Sequence, residues 1–157
     1  MAHIIYMLSN QIVSIFISLQ FATVIEFPSP VTTYVYGGSE TDLIIDLIQN
    51  NKILSIKPRS GNINSNLVVT TKTGKYYFYL KTENARPHKF ISIKDGLIES
   101  ALVMVKDEST YAILEGATSA KVITKKGPID VNGEQATTDL YFSKGAPLFI
   151  NGARVFN

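Results

Sequence analysis

From Phe21 onward, β-branched and aromatic residues come in short runs, and clusters of Gly, Pro, Asn, Asp and Ser cut those runs about every eight to twelve residues. That punctuation is the strongest constraint on what the chain can become. An amphipathic helix needs about ten or more residues of unbroken 3.6-residue periodicity, whereas a strand needs about four to eight. No long helical run exists. The strands predicted are Ile12–Leu19, Phe21–Phe27, Val31–Tyr36, Ile53–Lys57, Asn66–Thr71, Tyr76–Lys81, Lys89–Ile93, Ala101–Val105, Thr110–Leu114, Ala120–Thr124, Ile129–Val131, Thr138–Phe142, Pro147–Ile150 and Ala153–Phe156. The fold class expected is all-β: a β-sandwich of short antiparallel strands, followed by a second, smaller β unit. Gly37-Gly38 and Asn132-Gly133 are expected to supply positive φ, and Asn151-Gly152 is the favoured pair for a tight type I′ hairpin.

Composition supplies the core such a sandwich needs. The 157 residues are 45% hydrophobic and 18% charged, with eight Phe and eight Tyr. A chain of this length buries about two thirds of the surface it exposes unfolded, and this balance speaks against intrinsic disorder. Fifteen Lys and Arg against thirteen Asp and Glu give +2, too small and too dispersed for the clustered basic footprint of a nucleic-acid binder. With no cysteine, disulfides, thiolate nucleophiles and Cys-ligated metals are excluded together.

Two stretches admit more than one reading. Ile12–Ala22 has the apolar character of a signal-peptide core, yet no Lys or Arg precedes Lys52, and the stretch is too short to span a bilayer. Val13, Ile15, Ile17 and Leu19 alternate with Ser14, Phe16, Ser18 and Gln20, which is strand period, so a first strand is the reading adopted and a residual signal segment the alternative. Asp42–Gln49 places Leu43, Ile44, Leu47 and Ile48 at helical spacing behind a capping Asp42, but a buried strand reads nearly the same. At Glu83–His88 the apolar pattern lapses around a proline. The organisation expected is residues 1–82 as a sandwich, 83–96 as a linker and 97–157 as a second β unit.

Catalytic chemistry finds little to use. A hydrolase needs a nucleophile, a base and an orienting group, and the base is most often histidine. His3 sits near the terminus, and His88 follows a proline in the expected linker, where it is read as a surface loop residue. There is no paired-His spacing and no calcium-loop pattern, and Asp107-Glu108 reads as a solvated turn. Thr73-Gly-Lys-Tyr76 fails as a phosphate loop, because Thr70 stands where glycine is required. No enzyme, cofactor, metal or small-molecule substrate is expected.

Surface features are more suggestive. Tyr76-Tyr-Phe-Tyr79 would point two rings inward on a half-buried strand, leaving two for cross-strand pairs or, with Lys72, Lys75 and Lys81 nearby, for base stacking. Lys57-Pro58-Arg59 ends a strand and opens the polar loop Ser60–Asn66, either a plain hairpin connection or a segment offered to another chain.

Four strings in order, Phe21-Ala-Thr-Val-Ile-Glu-Phe27, Ile53-Leu-Ser-Ile-Lys-Pro-Arg59, Asn64-Ser-Asn-Leu-Val-Val-Thr-Thr71 and Lys75-Tyr-Tyr-Phe-Tyr-Leu80, resemble the N-terminal domain of the CagX/TrbG family of type IV secretion core-complex proteins. In that family a T-x-I-E-F strand, an L-x-x-K-P-R strand end, a T/S-N-L-x-V-x-T strand and a Y-x-F-x-L strand follow one another at similar spacing. Ile5–Val13 is similar to the family's first mature strand. The resemblance covers about residues 4–82 and does not extend to Gly96–Asn157. It implies a structural subunit in a periplasmic layer of an outer-membrane core complex for DNA or protein export. That subunit forms a homo-oligomeric ring and meets an outer-membrane lipoprotein and a TonB-like subunit anchored in the inner membrane, without an enzyme activity. The interface residues expected are Lys57, Pro58, Arg59, Asn62, Asn64, Tyr77 and Tyr79. The rival readings are a nucleic-acid-binding β-barrel using Tyr76–Tyr79, although direct nucleic-acid binding is not the main expectation, and a structural subunit of another particle such as a phage or pilus.

Overall fold

The computed structural model describes residues 2–156, of which none is helical; strands make up 58%. The strands are β1 (His3–Met7), β2 (Ile12–Ile17), β3 (Thr23–Glu26), β4 (Val31–Tyr36), β5 (Leu43–Ile48), β6 (Ile53–Pro58), β7 (Asn64–Thr71), β8 (Lys75–Thr82), β9 (Phe90–Asp95), β10 (Val103–Asp107), β11 (Tyr111–Glu115), β12 (Ser119–Thr124), β13 (Ile129–Val131), β14 (Glu134–Ala136), β15 (Leu140–Ser143), β16 (Leu148–Ile150) and β17 (Ala153–Phe156). Two compact units divide the chain: residues up to Ile5 with Asn10–Lys94, and Tyr6–Ser9 with the residues from Asp95 onward.

The first unit is a sandwich whose sheets run β1-β9-β3-β6-β5 and β2-β8-β7-β4. Period-2 alternation builds its core. Ile25, Leu54, Ile56, Ile91 and Ile93 face inward from one sheet, and Val13, Ile15, Ile17, Leu67, Val69, Tyr76, Phe78 and Leu80 from the other. The ring of Phe27, just after β3, lies 5.6 Å from that of Tyr76 and 6.2 Å from that of Phe78, so the two inner faces touch. Most pairs are antiparallel, but β2 runs parallel to β8 and β3 parallel to β9. This order, with the first strand split between the sheets, matches the A-B-E-D and C-F-G arrangement of an immunoglobulin-type sandwich, with β9 inserted between its first two strands. The chain has neither the cysteines nor the tryptophan by which such domains are recognised in sequence, and the arrangement by itself carries no function.

Several local expectations are corrected. Of the two readings open for Asp42–Gln49, the strand holds over Leu43–Ile48, which pairs with β6 residue for residue. The turn that permits this pairing holds Gln49, Asn50 and Asn51 at φ of 50°, 58° and 64°, a left-handed run that asparagine tolerates better than most residues. Leu19 is 47% exposed, since the strand stops at Ile17 and Ser18 turns to bridge Phe21. Ile5–Val13 is not one strand: β1 ends at Met7, Asn10 takes φ 63°, and β2 begins at Ile12. The strand predicted at Lys89–Ile93, inside the segment read as a linker over 83–96, is β9, paired along β3. Gly37 and Gly38 do not adopt positive φ; a Cβ on Gly38 would instead lie 2.4 Å from the Tyr36 hydroxyl. Burial, reinforced by the Asp42 carboxylate that accepts its hydrogen bond, pushes the Tyr36 hydroxyl well above the usual phenol range.

The second unit pairs β10-β11-β12-β15 in one sheet and β14-β13-β16-β17 in another. Tyr111, Ile113, Ala120, Val122 and Phe142 from the first share a buried cluster with Ile129, Val131, Ala136, Leu148 and Ile150 from the second. Asn132-Gly133 and Asn151-Gly152 both take positive φ at each position, as type I′ turns require. The two hairpins brace each other: Asn132 Oδ1 accepts from Phe149 N–H at 2.8 Å, and Asn151 Oδ1 from Asp130 N–H at 3.0 Å.

Candidate interaction surface

The outer face of the β2-β8-β7-β4 sheet carries the most distinctive surface of the first unit. Because Tyr76, Phe78 and Leu80 point inward, strand alternation turns Lys75, Tyr77, Tyr79 and Lys81 outward. Register sets Ile12 beside Tyr77, Tyr77 beside Val68 and Val68 beside Val35, so one row of four apolar side chains crosses the whole sheet. Ile12 and Val35 at its ends are 54% and 62% exposed. The next row sets Ser14, Tyr79 and Asn66 side by side, with Tyr79 47% exposed. Ile12, Ser65, Asn66, Val68 and residues 77–79 line an open depression of about 370 Å³. Lys75 and Lys81 stand exposed at opposite ends of β8. The result is an aromatic and aliphatic centre with amide and hydroxyl groups beside it and cations at the ends, able to bind a flat or extended apolar partner.

Of the residues expected at an interface, Asn64, Tyr77 and Tyr79 come together here, Asn64 pairing with Lys81 across β7 and β8. Lys57, Pro58 and Arg59 do not join them, because they end β6 in the other sheet. Pro58 is buried and opposite Leu43, since it continues the inward parity of Leu54 and Ile56; it is not available as a surface residue. Lys57 is exposed and donates to the Leu19 carbonyl at 3.2 Å, while the Arg59 amide donates to the Asp42 carbonyl at 2.7 Å. Asn62 is exposed in a turn whose amide reaches Ser60 Oγ. The loop after β6 is less polar than its composition suggests, for Ile63 is only 2% exposed and its amide donates to Thr82 Oγ1. Ser65 and Asn66 belong to the Ser60–Asn66 segment read from sequence as one offered to another chain, whereas Ile12, Val35 and Val68 were not read as surface partners. Strand parity in β2 does place Ile12 opposite Val13, but only the register brings it to Tyr77.

His88 is not a surface loop residue. It is 8% exposed, its ring stacks on Phe16 at 5.7 Å and 12°, and its Nδ1 accepts from the Phe16 amide at 2.9 Å. The backbone around it is tied as well, His88 N–H to Phe16 O at 2.7 Å and Thr23 Oγ1 to His88 O at 2.7 Å. The segment before β9 is thereby fastened to β2 and β3. Among the described residues no cluster of three or more His, Asp and Glu side chains is placed to hold a metal ion.

Fold and surface together define a class: a cysteine-free all-β protein whose first unit is an immunoglobulin-type sandwich with an exposed aromatic sheet face. No family model matches the chain, and no curated protein matches it either.

Proposed function

We propose that this chain is a structural subunit of a type IV secretion-type envelope core complex, acting in the periplasm against the outer membrane and forming a ring layer by self-association and contact with partner subunits. The observation that carries the reading is where the four family-like strings fall. They lie on β3, β6, β7 and β8, two in each sheet of one sandwich, so the resemblance follows a packed unit and not scattered segments. The outward Tyr77 and Tyr79 with Ile12 and Val35 supply the kind of aromatic and aliphatic anchor around which interface energy concentrates. A ring subunit needs such a patch to meet a different patch on the next copy. Envelopes solubilised from cells carrying a tagged copy test the reading. A megadalton-scale ring that co-purifies with a lipoprotein supports it, whereas a lone monomer of 17.3 kDa would overturn it.

One observation favours a second reading, a single-strand nucleic-acid binder: Lys75, Tyr77, Tyr79 and Lys81 share one face of β8. Stacking on aromatic rings beside cations is how sequence-tolerant binding to single strands works, and it weakens as salt rises. Fluorescence anisotropy with a labelled oligonucleotide at low salt decides this, since absence of binding there removes the reading.

A further inference from the structure

In the first unit β2 is the last strand of its sheet, and among the described residues no further strand pairs with its outer side. One residue stands in for that strand. The His88 N–H donates to the Phe16 carbonyl at 2.7 Å, and the Phe16 N–H donates to His88 Nδ1 at 2.9 Å. A main-chain amide and a ring nitrogen together satisfy both main-chain polar groups of one edge residue. The connection from β8 to β9 is pinned at neighbouring points as well: Ser18 Oγ donates to Asn84 Oδ1 at 3.2 Å, and Thr23 Oγ1 to the His88 carbonyl at 2.7 Å. Residues 84–88 thus form a strap over the end of an edge strand, the kind of edge that folded proteins keep covered. The strap closes on stacked rings, Phe16 at 4% and His88 at 8% exposure.

We propose that His88 is an acid-sensitive latch: a proton taken up from solvent at Nδ1 ends the bond with Phe16, lifts the strap and opens the outer edge of β2. The neutral ring carries its one proton on Nε2, so an added proton goes to the nitrogen that faces the Phe16 amide, where two donors then oppose each other. The face of the Phe16 ring attracts a cation but accepts no hydrogen bond from that nitrogen. The charge would also be buried, and the groups around it do little to offset it. Residues 1–25 contain no Lys, Arg, Asp or Glu, so β1 and β2 bring only His3, whose ring lies 5.8 Å away and which itself becomes cationic in acid. The one charged group of β3 is Glu26, which accepts from Ser92 Oγ at 3.4 Å, and β9 carries its charges, Lys94 and Asp95, at its far end. Beside His88 in its own segment are Glu83, Arg86 and Lys89, of which Lys89 sets its Nζ over the Phe21 ring at 4.1 Å. A free imidazole takes its proton at about pH 6.5. The open form binds that proton and the latched form does not, so the latch is at full strength above that pH and weakens as pH falls below it. From pH 7.5 to pH 5.5 the open population should rise about tenfold. The latch belongs to the first unit's own folding and stands or falls apart from the ring reading.

Amide hydrogen exchange of the full chain reads the latch directly. The protection factor of the Phe16 amide, taken relative to that of Phe78 in the middle of β8, should fall about tenfold from pH 7.5 to pH 5.5. His88→Asn sets an amide oxygen in place of Nδ1 without a titrating group, and should abolish that pH dependence, whereas His3→Gln should leave it in place. Nitrogen NMR of the native imidazole is a second readout that does not depend on either variant folding. It should show the His88 proton on Nε2 at pH 7.5, and on acidification the ring and the Phe16 amide should change with one midpoint. Protection of Phe16 that is indifferent to pH, a fall that survives His88→Asn, a response lost with His3→Gln, or a proton on Nδ1 at pH 7.5 would each overturn the proposal.

Discussion

The Nδ1 atom of His88 accepts a backbone N–H, and an amide can only donate, so the ring is held as the neutral imidazole with its proton on Nε2. His88→Phe would keep a ring against Phe16 while removing that acceptor, and should cost about 1–3 kcal/mol in urea unfolding; an unchanged midpoint would show that stacking alone secures the segment. Glu99 works in the opposite sense of charge. The Thr118 amide above all holds its carboxyl below the usual value of 4.5; desolvation, the next largest influence, opposes it, and the Ser119 hydroxyl and amide add to the lowering. A lowered carboxyl pKa contributes stability above its unfolded value and loses it as pH falls through the lowered one. The melting temperature should therefore fall on acidification below about pH 4.5, and Glu99→Gln, whose amide oxygen still accepts but does not titrate, should flatten that fall. Equal slopes for the two proteins would separate Glu99 from the acid response. Neither role is legible in sequence, since the partners lie 72 residues away for His88 and about 20 for Glu99.

Among the elements, strand parity was the most legible feature. Two of the four rings in Tyr76–Tyr79 turn inward, as alternation requires, and fourteen predicted strands have observed counterparts, because β-branched and aromatic runs between turn residues encode a strand locally. What escaped were strands whose evidence is tertiary. Leu43–Ile48 has helical spacing, and pairing with β6 overrides it; β14 has only Glu-Gln-Ala to offer and exists through pairing with β13. Backbone proximity is equally invisible in sequence. A Cβ on Gly96 would lie 2.6 Å from the Thr118 carbonyl oxygen and 3.0 Å from that of Tyr6, both backbone atoms that cannot swing aside. Gly96→Ala should accordingly cost about 1–3 kcal/mol and lower the melting temperature by several degrees. A neutral result would mean that the β11–β12 turn yields freely.

At the scale of the whole molecule, the outer and inner faces of β8 make separable predictions. Phe78→Ala, at 1% exposure, should destabilise the chain by about 3–5 kcal/mol. Tyr77→Ala with Tyr79→Ala should leave the melting temperature nearly unchanged yet weaken recovery of neighbouring subunits about thirtyfold, the scale set by an interface hot spot of about 2 kcal/mol. Full recovery with both tyrosines removed would take that face out of the assembly. That Tyr77 and Tyr79 share one face of their strand was legible, because parity is local. That Lys57, Pro58 and Arg59 end a strand of the other sheet was not legible, because which sheet a strand joins is not written in the strand.

By itself the sequence determined that this chain is all-β, where most strands fall, and that disulfides and thiolate chemistry are absent, since propensity, alternation and composition act over a few residues. Tertiary structure alone decided that β2 and β9 pair parallel to distant strands, that Pro58 and His88 are buried, and that Ile12, Tyr77, Val68 and Val35 form one row. The physical reason is range. A strand's backbone groups can pair with any other strand, and the choice is made by burying all the inward faces at once, a condition that no short stretch of residues expresses.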